Sequence, residues 1–288
     1  MKAPTNASST SSLNDPDYTI LPRFWVASEK VKDVASSLPK AKWFIAFRGM
    51  TNVMTNSRNA VFSVIPKVAV GNSAPVCVIE HPHLSGAFLA SLNSFVLDYS
   101  TRQKLAGANM NFFIVEQLPV LPPTTYAEPC TWANDPNSEI PNPLPLRDWL
   151  LPRVLELTYT AWDLEAFAAD CGWSGPPFRW DEERRFLLRC ELDAAFFHLY
   201  LGPQTEWQQQ PEALTRAFPT PRHAISYIID TFPIVKRKDE AKHGHYRTKE
   251  TILQIYDALG EAMQAGVPYQ TLLSPPPADA ACCHPPKA

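Results

Sequence analysis

The chain has no C-x-x-C pair: its six cysteines stand at 77, 130, 171, 190, 282 and 283. The Ser/Thr-rich start from Ala3 to Ser12 has no apolar signal-peptide core, so a disulfide framework is not expected. Cys282-Cys283-His284 carries ligating side chains, but it lies among prolines without the second ligand pair that a structural zinc site needs. No apolar run approaches the roughly 18 residues that span a bilayer, so the cytoplasm is the expected compartment and a membrane is not an expected partner. Neither charge sign dominates. Lys plus Arg number 26 against 29 Asp plus Glu, a formal net charge of -3, which excludes a histone-like coat and leaves only local basic patches for nucleic acid. Also missing are a nucleophile elbow and a Gly-x-x-x-x-Gly-Lys-[Ser/Thr] loop, so hydrolase and nucleotide-binding readings lack local support.

What is present is apolar material and one basic island. With 288 residues, 45% of them hydrophobic, the chain can bury one large core or two modest ones. Between Phe232 and Asp257 stand Lys236, Arg237, Lys238, Lys242, Arg247 and Lys249, partly offset by Asp239, Glu240 and Glu250. Such a run is either a solvated helix face or a phosphate-binding surface.

The pattern predicts an α+β chain. Residues 1–17 read as a disordered leader, and order begins at Tyr18. Three apolar runs, Lys42 to Arg48, Ala60 to Val70 and Pro75 to Glu80, are separated by polar turns and predict three strands. From Leu84 to Arg102 the period becomes helical, with Phe88, Leu92, Phe95 and Tyr99 on one stripe. Met110 to Val120 again reads as β, ended by three prolines. Nine prolines between Pro119 and Pro152 then mark a linker at 124–145. A mainly helical part follows at 146–273. It contains a helix from Asp181 to Tyr200 and a last helix capped by Thr248 and stopped by Gly266. Residues 274–288 read as a disordered Pro-rich tail.

Several motifs carry a resemblance. Asn93-Ser-Phe-Val-Leu-Asp-Tyr-Ser-Thr-Arg-Gln-Lys104, followed by Asn109-Met-Asn-Phe-Phe-Ile-Val-Glu-Gln-Leu-Pro-Val-Leu-Pro-Pro123, resembles the end of a target-recognition domain in type IIG-like restriction-modification and phage-defence adenine-N6 DNA methylases. Leu157 to Asp163, Pro176 to Arg185 and Phe232 to Asp257 resemble the C-terminal region of the same enzymes. The resemblance implies a target-recognition-like mixed α/β domain at 18–123, then a mainly α-helical domain at 146–273. It implies selective recognition of double-stranded DNA, without the methyl-transferring part. S-adenosylmethionine would then sit on a partner methylase chain or a missing half, and no cofactor is expected in this chain. A separately encoded, a split and a truncated piece all fit. The [Asp/Asn/Ser]-Pro-Pro-aromatic loop that holds a flipped adenine is only imitated. Gly175-Pro-Pro-Phe178 lacks a side-chain acceptor, and Ser274-Pro-Pro-Pro277 lacks the ring.

For DNA readout, the loop from Arg48 to Asn59 holds the side chains that base edges require. Arg48 and Arg58 suit guanine, Asn52 and Asn56 suit adenine, and Thr51 suits either a base or a phosphate. Lys67, Arg102, Lys104, Asn109 and Asn111 are further candidates. The loop is expected to select sequence, while Lys236, Arg237, Lys238, Arg247 and Lys249 hold the backbone. Two alternatives stay open. Asp230, Glu240 and Lys242 have the spacing of a metal-dependent nuclease, although such residues normally stand on adjacent strands. Trp149, Trp162, Trp173, Trp180 and Trp207 either fill a core or anchor docking on a methylase chain.

Overall fold

The computed structural model describes residues 10–20, 25–36, 41–134 and 144–287, with backbone alone for 10, 11 and 33–36. Two short helices, α1 (Thr10–Leu13) and α2 (Ser28–Ser36), precede the strands β1 (Trp43–Phe47), β2 (Phe62–Pro66) and β3 (Val76–Cys77). All three expected strands form, as an antiparallel sheet in the order β2-β1-β3. Every residue of the central β1 is buried, whereas β2 alternates buried Phe62 and Val64 with exposed Ser63, the signature of a strand with one wet face. Full burial of Ile45 or Phe47 contributes about 1.5–3 kcal/mol each.

The expected helix from Leu84 to Arg102 is two helices, α3 (Ser85–Leu92) and α4 (Phe95–Lys104). The break has a polar cause. The Asn93 side chain leaves the helical path to pair with Phe62, donating to its carbonyl at 3.0 Å and accepting from its N–H at 3.0 Å. Ser94 then caps α4 by accepting from the Leu97 N–H. The segment Met110 to Val120 is not a strand: its first turn is α5 (Phe112–Val115), capped by Asn111. There the cap outweighs β-propensity, and strand pairing is reduced to a single bridge between Met50 and Asn109.

Helices α6 (Leu146–Thr158), α7 (Glu165–Asp170), α8 (Glu182–Leu201), α9 (Gln204–Trp207), α10 (Glu212–Ala217), α11 (Pro221–Asp230), α12 (Pro233–His243) and α13 (Arg247–Ala265) complete the described chain. The helix expected from Asp181 to Tyr200 forms as α8, with Asp181 as its cap, and Gly266 stops α13 in the left-handed conformation. Thr248 does not cap α13. It lies inside the helix, and its N–H donates to Asp239 Oδ2 of α12 at 2.6 Å, so the acceptor comes from the neighbouring helix.

One contiguous core runs from Trp43 to Cys283, with no break at the expected linker. Helix α8 is its axis, burying Ala194, Ala195, Phe196 and Phe197 completely. The sheet joins this core where the Trp43 indole donates to Asp170 Oδ2 at 2.7 Å and meets Phe167 edge to face. The described part of the linker is core as well: Tyr126, Cys130 and Trp132 are buried, Trp132 packs against Trp149, and its carbonyl accepts from the Tyr269 N–H. The rest of the linker, 135–143, lies outside the described residues, as do 1–9 of the leader. Asn14 and Pro16 of the leader accept hydrogen bonds from the Trp180 and Trp162 backbones.

The tail differs from its expected disorder. Arg184 donates to the Pro275 carbonyl at 2.8 Å while pairing with Glu156 through two bonds, and the Ala278 N–H donates to the same carboxylate at 3.0 Å. Cys282 and Cys283 are buried, Cys283 bridges to Phe178, and Cys282 accepts from the Arg179 N–H. A Pro-rich composition removes donors but leaves carbonyl acceptors, and the partly buried Arg184 uses them.

Candidate nucleic-acid interface

The loop between β1 and β2 is tied down from inside. Thr51 is buried, and its hydroxyl accepts from Asn59 Nδ2 at 2.8 Å and from Asn56 Nδ2 at 3.2 Å. Arg48 reaches Thr51 Oγ1 at 3.4 Å and bonds the Arg58 carbonyl. Asp98 of α4, 0% exposed, closes the loop by accepting from the backbone N–H groups of Asn59 and Ala60 and from Arg58 Nε at 2.8 Å. Arg58 also bonds the Asn93 carbonyl and lies 3.9 Å over the Phe95 ring.

Arg102 carries this network across to the helical part. Its guanidinium donates to Asn59 Oδ1 at 2.9 Å, to the Asn56 carbonyl at 3.4 Å and to the Thr231 carbonyl at 2.6 Å, and it stacks on Phe232 at 4.0 Å. Thr231 and Phe232 lead directly into α12, so the basic helix is held against the loop. A second link is Lys238 Nζ, which donates to Ser57 Oγ at 2.9 Å. The two stretches singled out from sequence, 181 positions apart at this bond, are therefore neighbours.

The sequence-predicted residues divide by what they touch. Arg48, Thr51, Asn56, Arg58 and Arg102 are engaged within the protein rather than free as base readers: Asp98, the loop's own carbonyls and hydroxyl, and the Thr231 carbonyl hold them, although Arg48 Nε has no partner among the described residues. Asn52 is exposed, although its Oδ1 accepts from the Met54 N–H at 2.8 Å in a local turn. Asn109 is exposed and bridged to Met50 of this loop, Lys104 is exposed at the end of α4, and the Asn111 side chain is a helix cap. Lys67 stands at the opposite end of β2, its ammonium 5.8 Å over Phe44, and does not join the group.

On α12, Lys236, Arg237, Lys238 and Lys242 are exposed. Lys236 is 3.9 Å from Glu240, a contact worth little in water, and among the described residues Arg237 and Lys242 have no ion-pair partner. Arg247 and Lys249 do: Arg247 pairs with Glu183 and covers Phe186, and Lys249 meets Asp230 at 2.6 Å. Asp239 faces α13 rather than solvent, which leaves the outer side of α12 more basic than its composition. No protein-family model, no curated protein and no solved structure matches this chain.

The other candidates fall elsewhere. Asp230 and Glu240 stand on α11 and α12, each with its own lysine, and not on paired strands. No group of three or more His, Cys, Asp or Glu side chains is placed to hold a metal ion among the described residues. Gly175-Pro-Pro-Phe178 is a packed turn: Phe178 is fully buried against Trp173, and a Cβ at Gly175 would meet that indole at 2.7 Å. Trp149 and Trp207 fill the core. Sequence reasoning missed an exposed apolar group beside the loop, Met50, Met54, Phe112 and Phe113, with Met54 79% and Phe113 72% exposed. Its signal was available: apolar residues inside a polar loop and next to a helix cap.

Proposed function

We propose that this chain binds duplex DNA across the face formed by α12 and the 48–59 loop, as the recognition portion of an adenine-N6 methylase system. The observation that carries this reading is the junction itself, where Lys238 meets Ser57 and Arg102 joins Asn56 to Thr231. Exposed Lys236, Arg237, Lys238 and Lys242 meet phosphates, and Asn52, Lys104 and Asn109 are the side chains left to approach base edges. With so few free readers beside a basic helix, the phosphate contribution exceeds the base contribution. S-adenosylmethionine and methyl transfer belong to a partner or to sequence outside this chain.

The test is binding of a random-sequence duplex pool across a salt series. Three or four phosphate contacts correspond to a slope of log K against log salt of about -3. A slope near zero rejects the reading, and enrichment of a motif that Asn52→Ala abolishes assigns base selection to the loop. The exposed Met50, Met54, Phe112 and Phe113 favour a second reading, docking on a methylase catalytic chain. Loss of co-purification with such a chain in Met54→Asp and Phe113→Asp, with DNA binding intact, separates the two.

A further inference from the structure

A second site lies on the other side of Arg58. A cavity of about 550 Å³ opens between β2, α3, α6 and α8, within the roughly 300–1,000 Å³ range of small-molecule sites. Its floor is apolar, with Phe62, Val154 and Leu192, and Trp180 stands at its edge. Beside neutral groups such as Asn93 and Thr158, its charged lining is mainly cationic: Arg58, Arg185 and Arg189 against one carboxylate, Asp193.

The charges there are not balanced. Asp193 accepts from the Phe95 N–H at 2.6 Å and stands 3.9 Å from Arg58, which itself pairs with Asp98. Arg185 is nine-tenths buried, and its Nε has no hydrogen-bond partner among the described residues. Its Nη1 makes only a long 3.5 Å bond to the Glu156 carbonyl, and its guanidinium stacks on Trp180 at 3.5 Å. The Glu156 carboxylate pairs with Arg184, and Glu182 accepts from the Trp180 indole. Arg189 is one helical turn on along α8 and has no ion pair among the described residues. Two arginines four positions apart on one helix face repel each other unless an anion lies between them. Burial, and then the neighbouring Arg189, lower the Arg185 pKa to about 10 against the opposing pull of Glu182 and Glu156, so the guanidinium remains charged at neutral pH.

We propose that this cavity binds a small organic phosphate of mononucleotide size, with its phosphate between Arg185 and Arg189 and its body on the apolar floor beside Trp180. Guanidinium forks match phosphate oxygens in pairs, and three terminal oxygens can serve two arginines at once. The site is independent of the α12 surface.

Calorimetric titration of the full chain with adenosine monophosphate, inorganic phosphate and adenosine tests the proposal, with tryptophan fluorescence as a second readout. Adenosine monophosphate is expected to bind and to quench Trp180. Adenosine binds at least about tenfold more weakly for want of the charged contacts, and so does the monophosphate to Arg189→Gln. Arg189 is exposed, so its variant keeps the fold, which thermal melting verifies. Arg237→Glu leaves nucleotide binding unchanged, so failure at this cavity and failure on α12 are distinguishable. No binding of any of the three at millimolar concentration overturns the site, as does binding indifferent to Arg189→Gln. Inorganic phosphate binding as tightly as the nucleotide overturns the organic ligand.

Discussion

The loop from Arg48 to Asn59 and helix α12 look alike as sequence, both polar and cation-bearing, yet the fold treats them oppositely. In the loop, Arg48 and Arg58 turn inward, and the buried carboxylate of Asp98 organises one end. On α12, the cations at 236, 237, 238 and 242 face water, and Phe232 and Ile234 provide the buried anchor. The lesson is that a cation's role follows from its nearest buried carboxylate, not from local charge density. Substitutions of the inward loop side chains or of Asp98 should therefore change stability, and α12 substitutions should change binding.

The largest expected effect is Asp98→Ala. It strands Arg58 in a half-buried position and frees two buried N–H groups, destabilising the fold by about 3–5 kcal/mol in urea unfolding. A loss below 1 kcal/mol would erase the contrast between the two regions. His198 tests the core away from both. Its ring is stacked on Tyr256 at 3.8 Å, bonded to the Tyr256 carbonyl, and lowered by burial to a pKa of about 4. The folded state thus holds fewer protons than the unfolded chain between pH 6.5 and 4, so stability is lost as pH falls through that window. His198→Gln removes this contribution, and the two pH curves should converge toward acid by up to about 3 kcal/mol. Burial raises the Asp193 carboxyl to about 6, giving the opposite slope in both proteins, so it cancels in the difference.

Arg102→Ala removes three hydrogen bonds and the cover of Phe232, and about 2–3 kcal/mol of stability with them. DNA affinity should fall as well, because the junction that holds α12 on the loop loosens. Affinity unchanged in the folded variant would show that the two regions act separately. The smallest change in stability is expected for Arg237→Gln with Lys242→Gln, within about 0.5 kcal/mol of the parent. The same pair should flatten the salt slope by about 2. An unchanged slope would return α12 to an ordinary solvated face.

Much of the secondary structure was legible in the sequence. Three apolar runs placed the strands, Asp181 began α8, and Gly266 ended α13, because each signal is carried by neighbours within a turn. The division of the 84–104 region was less legible, since Asn93 leaves the helix to pair with Phe62, 31 positions earlier. The candidate site was half visible. Its basic stretch stood out in composition, whereas the helical form of that stretch and the inward turn of Arg48, Arg58 and Arg102 did not.

By itself, the sequence determined the α+β character, the three strands, and the existence of a basic stretch beside an amphipathic helix, all set by composition, short-range periodicity and caps. Only the tertiary structure decided which arginines are free. Arg58 meets Asp98 40 positions away, Arg102 meets Thr231 129 positions away, and Arg184 draws in Pro275 91 positions away. Partly buried cations need acceptors wherever the chain can bring them, and that requirement turned a polar loop into a brace and drew a Pro-rich tail onto the core.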